Sequence, residues 1–163
     1  LSVLFVDTEI GKDELLKRYH RIKKNFKNWG KGIDRFNMLS KKGSFSNIWN
    51  ELKQYVEKYK PDVLYIDCLY NSVTERDISK GHNIAKFTDH ITELRESYNM
   101  TIKIIHHLNK GNHEHGLIID RMSGASALQN WAEHIMLMTR TNVNELRRRV
   151  SLRVPAALPG DLS

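Results

Sequence analysis

Apolar blocks and amphipathic blocks alternate along the chain. Residues 1–6 (LSVLFV) are almost continuously apolar and rich in β-branched side chains, which predicts a strand covered on both faces. Val63–Asp67 is a second run of this buried type. Between such runs apolar residues recur at helical spacing, as in Ile48, Leu52 and Val56. This alternation predicts an α/β fold with a mostly parallel sheet flanked by helices.

The same patterns predict the remaining elements. Helices are expected around three further groups of apolar positions, which are Leu15, Tyr19, Ile22 and Phe26; Ile84, Phe87, Ile91, Leu94 and Tyr98; and residues 126–132. Strands are expected over residues 33–39, 101–105, 135–138 and 146–154. The last strand alternates arginine with aliphatic residues, as an outer, half-exposed strand does, and Pro155 then ends regular structure. The sequence therefore predicts one domain over residues 1–154 and an irregular tail over residues 155–163.

Composition limits the class of protein. A chain of 163 residues with 40% hydrophobic residues is long enough for a single globular core. The 26 basic and 19 acidic residues give a net charge of +7, which favours a polyanionic partner, with nucleic acid as the leading candidate. Cys68 is the single cysteine, so no internal disulfide forms. Because no signal peptide or long apolar run occurs, we expect a cytoplasmic protein with no membrane partner.

Polar residues follow three of the predicted strands. Glu9 follows the first, Asp67 ends the second, and His106 and His107 follow the strand over residues 101–105. Ligands of open parallel sheets bind at the carboxyl ends of the strands, so these groups are expected to converge on one crevice. Asp67 after four apolar residues has the pattern of a Walker B carboxylate, which holds Mg²⁺ through water. Glu9 is either a catalytic base or a residue that favours a helix start.

The histidines allow a second interpretation. His106, His107, His113 and His115 lie within ten residues of one another, and neutral imidazoles at such spacing can bind zinc. Structural zinc sites usually recruit thiolates or regularly spaced histidines on one helix, and that pattern is absent here. Adjacent strand residues point to opposite faces, so only one of His106 and His107 is expected to face the crevice.

Residues 67–140 resemble the hexameric replicative helicase branch of the RecA-like ATPases, especially the RepA-like plasmid and phage group and, more distantly, the DnaB type. Residues 106–110 (HHLNK) stand where those proteins have a strand ending in S-Q-L-N-R or H-H-x-x-K. Residues 121–128 (RMSGASAL) are similar to their R-G-S-[SG]-A-[LI] segment, and residues 134–140 to the strand after it. Residues 3–9 (VLFVDTE) resemble the strand that delivers their water-activating glutamate.

This resemblance implies a RecA-like motor that hydrolyses ATP with Mg²⁺, binds single-stranded DNA and assembles with itself into a ring, expected to be a hexamer. The implied catalytic residues are Glu9 as the water-activating base, Asp67 as the group that holds Mg²⁺ through water, and His107 as the sensor of the γ-phosphate. Arg121 and Arg153 are the implied nucleotide-sensing or inter-subunit residues, and Lys110, His113 and His115 the implied DNA contacts.

One motif of such motors is missing from these residues. No G-x-x-x-x-G-K-[ST] phosphate-binding loop occurs in the sequence. We expect that segment upstream of Leu1. Its missing strand is expected to leave a gap in the sheet or to force neighbouring strands to rearrange, and this chain alone is expected to hydrolyse little ATP. Two alternatives stay open at this point. One is a non-enzymatic DNA-binding or assembly module on the same scaffold. The other is a metal-dependent hydrolase that uses the four clustered histidines with Asp67.

Overall fold

The computed structural model describes residues 1–25, 35–43, 45–69, 81–107, 125–140 and 148–153. They belong to two compact units, Leu1–His107 and Leu108–Ser163. The elements of the first unit are β1 (Val3–Asp7), α1 (Lys12–Asn25), β2 (Phe36–Ser40), α2 (Phe45–Tyr59), β3 (Val63–Asp67), α3 (Gly81–Tyr98) and β4 (Thr101–Ile105). Those of the second unit are α4 (Ala125–Trp131), β5 (Ile135–Arg140) and β6 (Arg148–Arg153).

The first unit is built on a four-stranded sheet with the order β2-β1-β3-β4. All three strand pairs are parallel. Asp7 at the end of β1 is the register partner of Asp67 at the end of β3, which in turn pairs with Ile105 of β4. The predicted α/β fold with a mostly parallel, helix-flanked sheet is thereby confirmed. Within this unit each strand is hydrogen-bonded to the next, whereas β5 and β6 form a separate two-stranded sheet, so the gap or rearrangement expected from the missing strand stays a prediction.

The helices lie on both faces of this sheet. From β1 the chain crosses through α1 to β2 on one side, returns through α2 to β3 on the other side, and continues through α3 to β4. Right-handed crossovers place α2 and α3 on one face and α1 on the opposite face. Ring contacts agree with this arrangement, since Trp49 of α2 lies 4.9 Å from His90 of α3 and Tyr19 of α1 stacks on Phe36 of β2 at 5.8 Å.

The core lies between the sheet and the pair α2 and α3. Alternate strand residues on that face are completely buried, and so are the apolar positions of the two helices at three- and four-residue spacing. These residues are Leu4, Val6, Leu64, Ile66, Ile48, Leu52, Val56, Ile84 and Ile91. Burial of such side chains stabilises the fold by about 1.5–3 kcal/mol each.

The opposite face of the sheet is only partly covered, which corrects the expectation that β1 is buried on both faces. Val3 and Phe5 are half-buried, while Leu4 and Val6 are fully buried. Phe5 stacks between Phe36 and Tyr65 at centroid distances of 6.4 and 6.3 Å. Of the described helices of this unit only α1 lies on this face, and Phe5 and Tyr65 are half-buried rather than buried.

Helix α1 buries less than its apolar spacing predicts. Leu15 is buried and Tyr19 is half-buried, but Ile22 is 45% exposed. A helix of 14 residues is about 21 Å long, whereas a five-residue strand spans only about 17 Å. Helix α1 is therefore longer than the strand beside it by about 4 Å, slightly less than one helical turn. Phe26, the fourth predicted apolar position, lies outside the described residues.

The second unit contains a short helix and an antiparallel pair of strands. Strand β5 pairs with β6 from Ile135 opposite Arg153 to Arg140 opposite Arg148. Both strands were predicted, although β5 continues two residues past the expected end and β6 is shorter than residues 146–154. The assignment of residues 1–154 to one ATPase core stays a prediction. Within the described parts of both units, no helix combines the length and apolar character needed to cross a membrane.

Candidate functional site

A candidate site lies at the carboxyl ends of the parallel strands. The chain leaves β1 toward β2 on one side, whereas β3 lies on the other side of β1, so the connections diverge between β1 and β3. Such a switch point opens a crevice in which open α/β sheets bind their ligands. Glu9 follows β1, Cys68 follows β3 and His107 follows β4. The topology thus brings three chemically active side chains to one edge.

The carboxylate of Asp7 holds the loop that follows β1. Its Oδ1 accepts the backbone N–H groups of Glu9 and Ile10 at 3.2 and 3.0 Å, and its Oδ2 accepts the N–H of Gly11 at 2.9 Å. The Ser40 hydroxyl donates to the same Oδ2 at 2.7 Å. Burial alone would raise the pKa of Asp7, but these four hydrogen bonds favour the ionised form and leave the pKa below its ordinary value. The loop that presents Glu9 is therefore anchored to β1 and β2.

Thr8 joins the loops that follow β1 and β3. Its backbone N–H donates to the carbonyl of Asp67 at 2.7 Å. Its hydroxyl accepts the N–H of Cys68 at 3.2 Å and lies 3.2 and 3.3 Å from the carbonyl oxygens of Asp67 and Cys68. The peptide bond between Asp67 and Cys68 is cis. Because Thr8 is buried, these bonds are shielded from water and keep the two strand ends at a constant separation.

Glu9 and His107 face each other across this edge. The Nε2 atom of His107 lies 3.5 Å from Oε2 of Glu9, and the two side chains are 63% and 46% exposed. Both groups can therefore reach a bound ligand. A carboxylate in this position can accept a proton from water, and an imidazole beside it can hydrogen-bond both the carboxylate and a ligand oxygen.

Asp67 lies in a negative environment at the centre of the site. Burial raises the pKa of Asp67, and the nearby charges of Glu9 and Asp7 raise it further, while His107 and Arg18 partly offset this effect. A divalent cation would relieve the repulsion between these carboxylates. Carboxylate oxygens and water are the ligands that Mg²⁺ prefers, so the donor set fits a hydrated magnesium ion held by Asp67.

A comparison with protein families identifies the fold to which this site belongs. A family model described as an AAA domain matches residues 1–113 of the 163-residue chain. The chain belongs to the AAA domain family. This AAA domain is thus P-loop ATPase-like, of the kind found in RecA-like helicases, and nucleotide dependence follows in general terms. No curated protein matches the chain.

The AAA domain brings together the three predicted catalytic residues, Glu9, Asp67 and His107, although their individual roles stay predictions. His106 is half-buried beside the more exposed His107. Arg153 is the last residue of β6 in the second unit. The other predicted nucleotide- and DNA-contacting residues lie outside the described part of the chain, and they are Lys110, His113, His115 and Arg121.

Several residues of the site were missed from the sequence. Ser40 ends β2, so the strand-end rule that selected Glu9 and Asp67 also applies to it. Asp7 precedes a loop and a helix start, where aspartate commonly accepts backbone N–H groups a few residues on. Thr8 and Cys68 carried no comparable local signal, because their importance comes from contacts between residues 60 positions apart.

Proposed function

We propose that this AAA domain is the nucleotide-hydrolysing part of a DNA motor, a replicative helicase of a mobile element that uses ATP and Mg²⁺. The observation that carries the proposal is the 3.5 Å approach of His107 to Glu9 at the switch point of the sheet, beside Asp67. A base for water activation, a carboxylate for the metal and a hydrogen-bond donor for phosphate are the groups that phosphoryl transfer to water requires.

Each of the three side chains has a role that fits its surroundings. Glu9 is exposed enough to contact a water molecule, and it would accept the proton of the attacking water. His107 would donate a hydrogen bond to the γ-phosphate, and its contact with Glu9 would report the presence of that phosphate. Mg²⁺, held by Asp67 through water, supplies charge neutralisation at the phosphates when bound.

Nucleic acid is the partner that the charge of the chain favours. The net charge of +7 supports binding of a polyanion, and Lys110, His113 and His115 are the residues that we propose contact single-stranded DNA. Arg121 and Arg153 would act on the nucleotide of a neighbouring copy in a ring, proposed to be a hexamer. Lys110 stands three positions after His107 in the sequence, so a change at the phosphate sensor would reach this DNA contact over a few residues.

Hydrolysis by this scheme needs a phosphate-binding loop, which the 163 residues do not contain. We therefore propose that an upstream segment supplies it. The test compares ATP hydrolysis by this chain with hydrolysis by a version extended upstream with the genomic coding sequence, both with Mg²⁺ and with or without single-stranded DNA. We expect near-background rates from the first and DNA-stimulated rates from the second.

Matched variants make this test specific to the site. In the extended protein Asp67→Asn should lower the hydrolysis rate by about 100-fold or more, because a misplaced metal loses its stabilisation of the transition state. Asp89→Asn removes an exposed carboxylate of α3 and should leave the rate unchanged. Equal, low activity in both lengths of chain, or equal effects of the two substitutions, would count against an ATP-driven motor.

A further inference from the structure

A second chemistry is present at the same edge of the sheet. The thiol sulfur of Cys68, a carboxylate oxygen of Glu9 and an imidazole nitrogen of His107 all lie within 4.8 Å of one another. Within the described residues, no other group of three such side chains has this proximity. The three come from the ends of three different strands, so the sheet itself sets their separation.

The donor atoms of this group do not match magnesium. A thiolate and an imidazole are softer ligands than the oxygens that Mg²⁺ requires, and they select Zn²⁺ or a similar transition metal. Asp67, which offers only oxygen ligands, and the group of Glu9, Cys68 and His107 therefore prefer different metal ions, although both lie at the same edge of the sheet.

The spacing is close to that of a tetrahedral site. Metal–ligand bonds of about 2.0–2.3 Å imply distances of about 3.3–3.8 Å between neighbouring ligand atoms. Glu9 and His107 already stand at 3.5 Å. Closure of the site then requires the Cys68 sulfur and the two exposed side chains to approach each other by at most about 1.5 Å, which rotamer changes of the exposed side chains allow.

The burial of the three side chains suits a site with one open position. Cys68 is 1% exposed and forms the base of the group, while Glu9 and His107 are solvent-exposed above it. Three protein ligands with a fourth position left for water are typical of accessible zinc sites, whereas purely structural sites are closed by four protein ligands.

We propose that Glu9, Cys68 and His107 form a binding site for Zn²⁺ that excludes the hydrolytic arrangement of the same residues. A zinc ion bound there would engage the carboxylate of Glu9 and the imidazole of His107, so that neither is free to act on water or phosphate. The proposal that zinc binds uses only the geometry of the three side chains. Inhibition of ATP hydrolysis by zinc rests on the function proposed above, whereas binding is measured without nucleotide and does not depend on that function.

The test uses Co²⁺ as a spectroscopic substitute for Zn²⁺, added to the 163-residue chain without nucleotide. We expect one equivalent to bind, with a sulfur-to-cobalt charge-transfer band and the visible bands of a tetrahedral ion, and Zn²⁺ to displace it. Glu9→Gln and His107→Asn should each weaken binding by about 100-fold or more, since even changes outside the ligand shell cost about 10- to 100-fold. Cys68→Ala should abolish the charge-transfer band.

Controls keep the result interpretable. His134→Asn removes an exposed histidine of the second unit and should leave Co²⁺ affinity unchanged. Thermal unfolding of every variant shows whether the fold is intact, and the exposed positions of Glu9 and His107 make their substitutions tolerable even if Cys68→Ala is not. Absence of the charge-transfer band in the unmodified chain, or Co²⁺ affinities of Glu9→Gln and His107→Asn equal to that of the unmodified chain, would overturn the site whether or not the AAA domain hydrolyses ATP.

Discussion

His107 Nε2 lies 3.5 Å from Oε2 of Glu9, although 98 positions separate the two residues in the chain. The contact connects the end of β4 to the end of β1, and β3 lies between these two strands in the sheet. Both side chains also act electrostatically on Asp67, whose pKa Glu9 raises and His107 lowers.

Glu9 and His107 should behave as one unit in catalysis. In the upstream-extended protein we expect Glu9→Gln to lower kcat by about 10²- to 10⁴-fold, because the attacking water loses its base. Adding His107→Asn to that variant should cost little more, since groups that act together are strongly non-additive. The measurement is a double-mutant cycle on kcat. Glu57→Gln, an exposed carboxylate on α2, is the control, and fully additive losses would contradict the coupling.

Asp7 should contribute to stability through its hydrogen bonds. Asp7→Asn replaces one acceptor oxygen by an NH₂ donor, which cannot accept the N–H groups that now point at it. We expect the free energy of unfolding at neutral pH to fall by about 2 kcal/mol, as for lost hydrogen bonds to a charged group. Urea unfolding of both proteins measures the difference. A loss no larger than that of Asp89→Asn would contradict this role.

The stability supplied by Asp7 should depend on pH. Its pKa is lowered in the folded chain, so the stabilisation is complete above the ordinary aspartate pKa and is lost as pH falls through the lowered one. The difference between the wild type and Asp7→Asn should therefore shrink as pH is lowered from about 5 toward about 2. If the difference in unfolding free energy stays constant over this pH range, the hydrogen bonds do not depend on the ionised form of Asp7.

Asp67→Asn should stabilise the fold while it removes activity. Burial and the neighbouring charges of Glu9 and Asp7 disfavour the ionised form of Asp67. We expect the free energy of unfolding at neutral pH, without divalent cations, to rise by about 0.5 kcal/mol, since solvent screens part-exposed charges. The raised pKa means that this gain fades as pH falls and Asp67 in the wild type becomes protonated. A less stable variant at neutral pH would contradict the repulsion.

Thr8→Val should loosen the connection between the loops after β1 and β3. The substitution keeps the shape of the side chain but deprives the Cys68 N–H of its acceptor inside the core. We expect a loss of about 1–3 kcal/mol in unfolding free energy. Thr88→Val is the matched control, because the buried Thr88 hydroxyl only donates to carbonyls within its own helix. Comparable losses in the two variants would refute a special role for Thr8.

Local patterns were sufficient to predict most elements. Strands β3 and β4 agree with the predicted residues, and the predicted apolar positions of α2 and α3 are buried except for the half-buried Tyr59 and Tyr98. The buried face of a strand or helix has apolar residues at a fixed short spacing, so it can be predicted from neighbouring positions in the sequence. The apolar pattern overestimates burial where the two faces of the sheet are covered unequally. Phe5 is an example, because its face is covered by fewer described helices of this unit than the other face.

The sequence by itself determined the α/β class, the polar residues at the strand ends and the basic character of this AAA domain. Only the tertiary structure decided the strand order, the divergence between β1 and β3, and the anchoring of the Glu9 loop by Asp7. It alone also brought Cys68 within reach of Glu9 and His107. The physical reason is distance along the chain, because periodicity specifies which residues are buried, whereas packing of helices between strands decides which distant strand ends become neighbours.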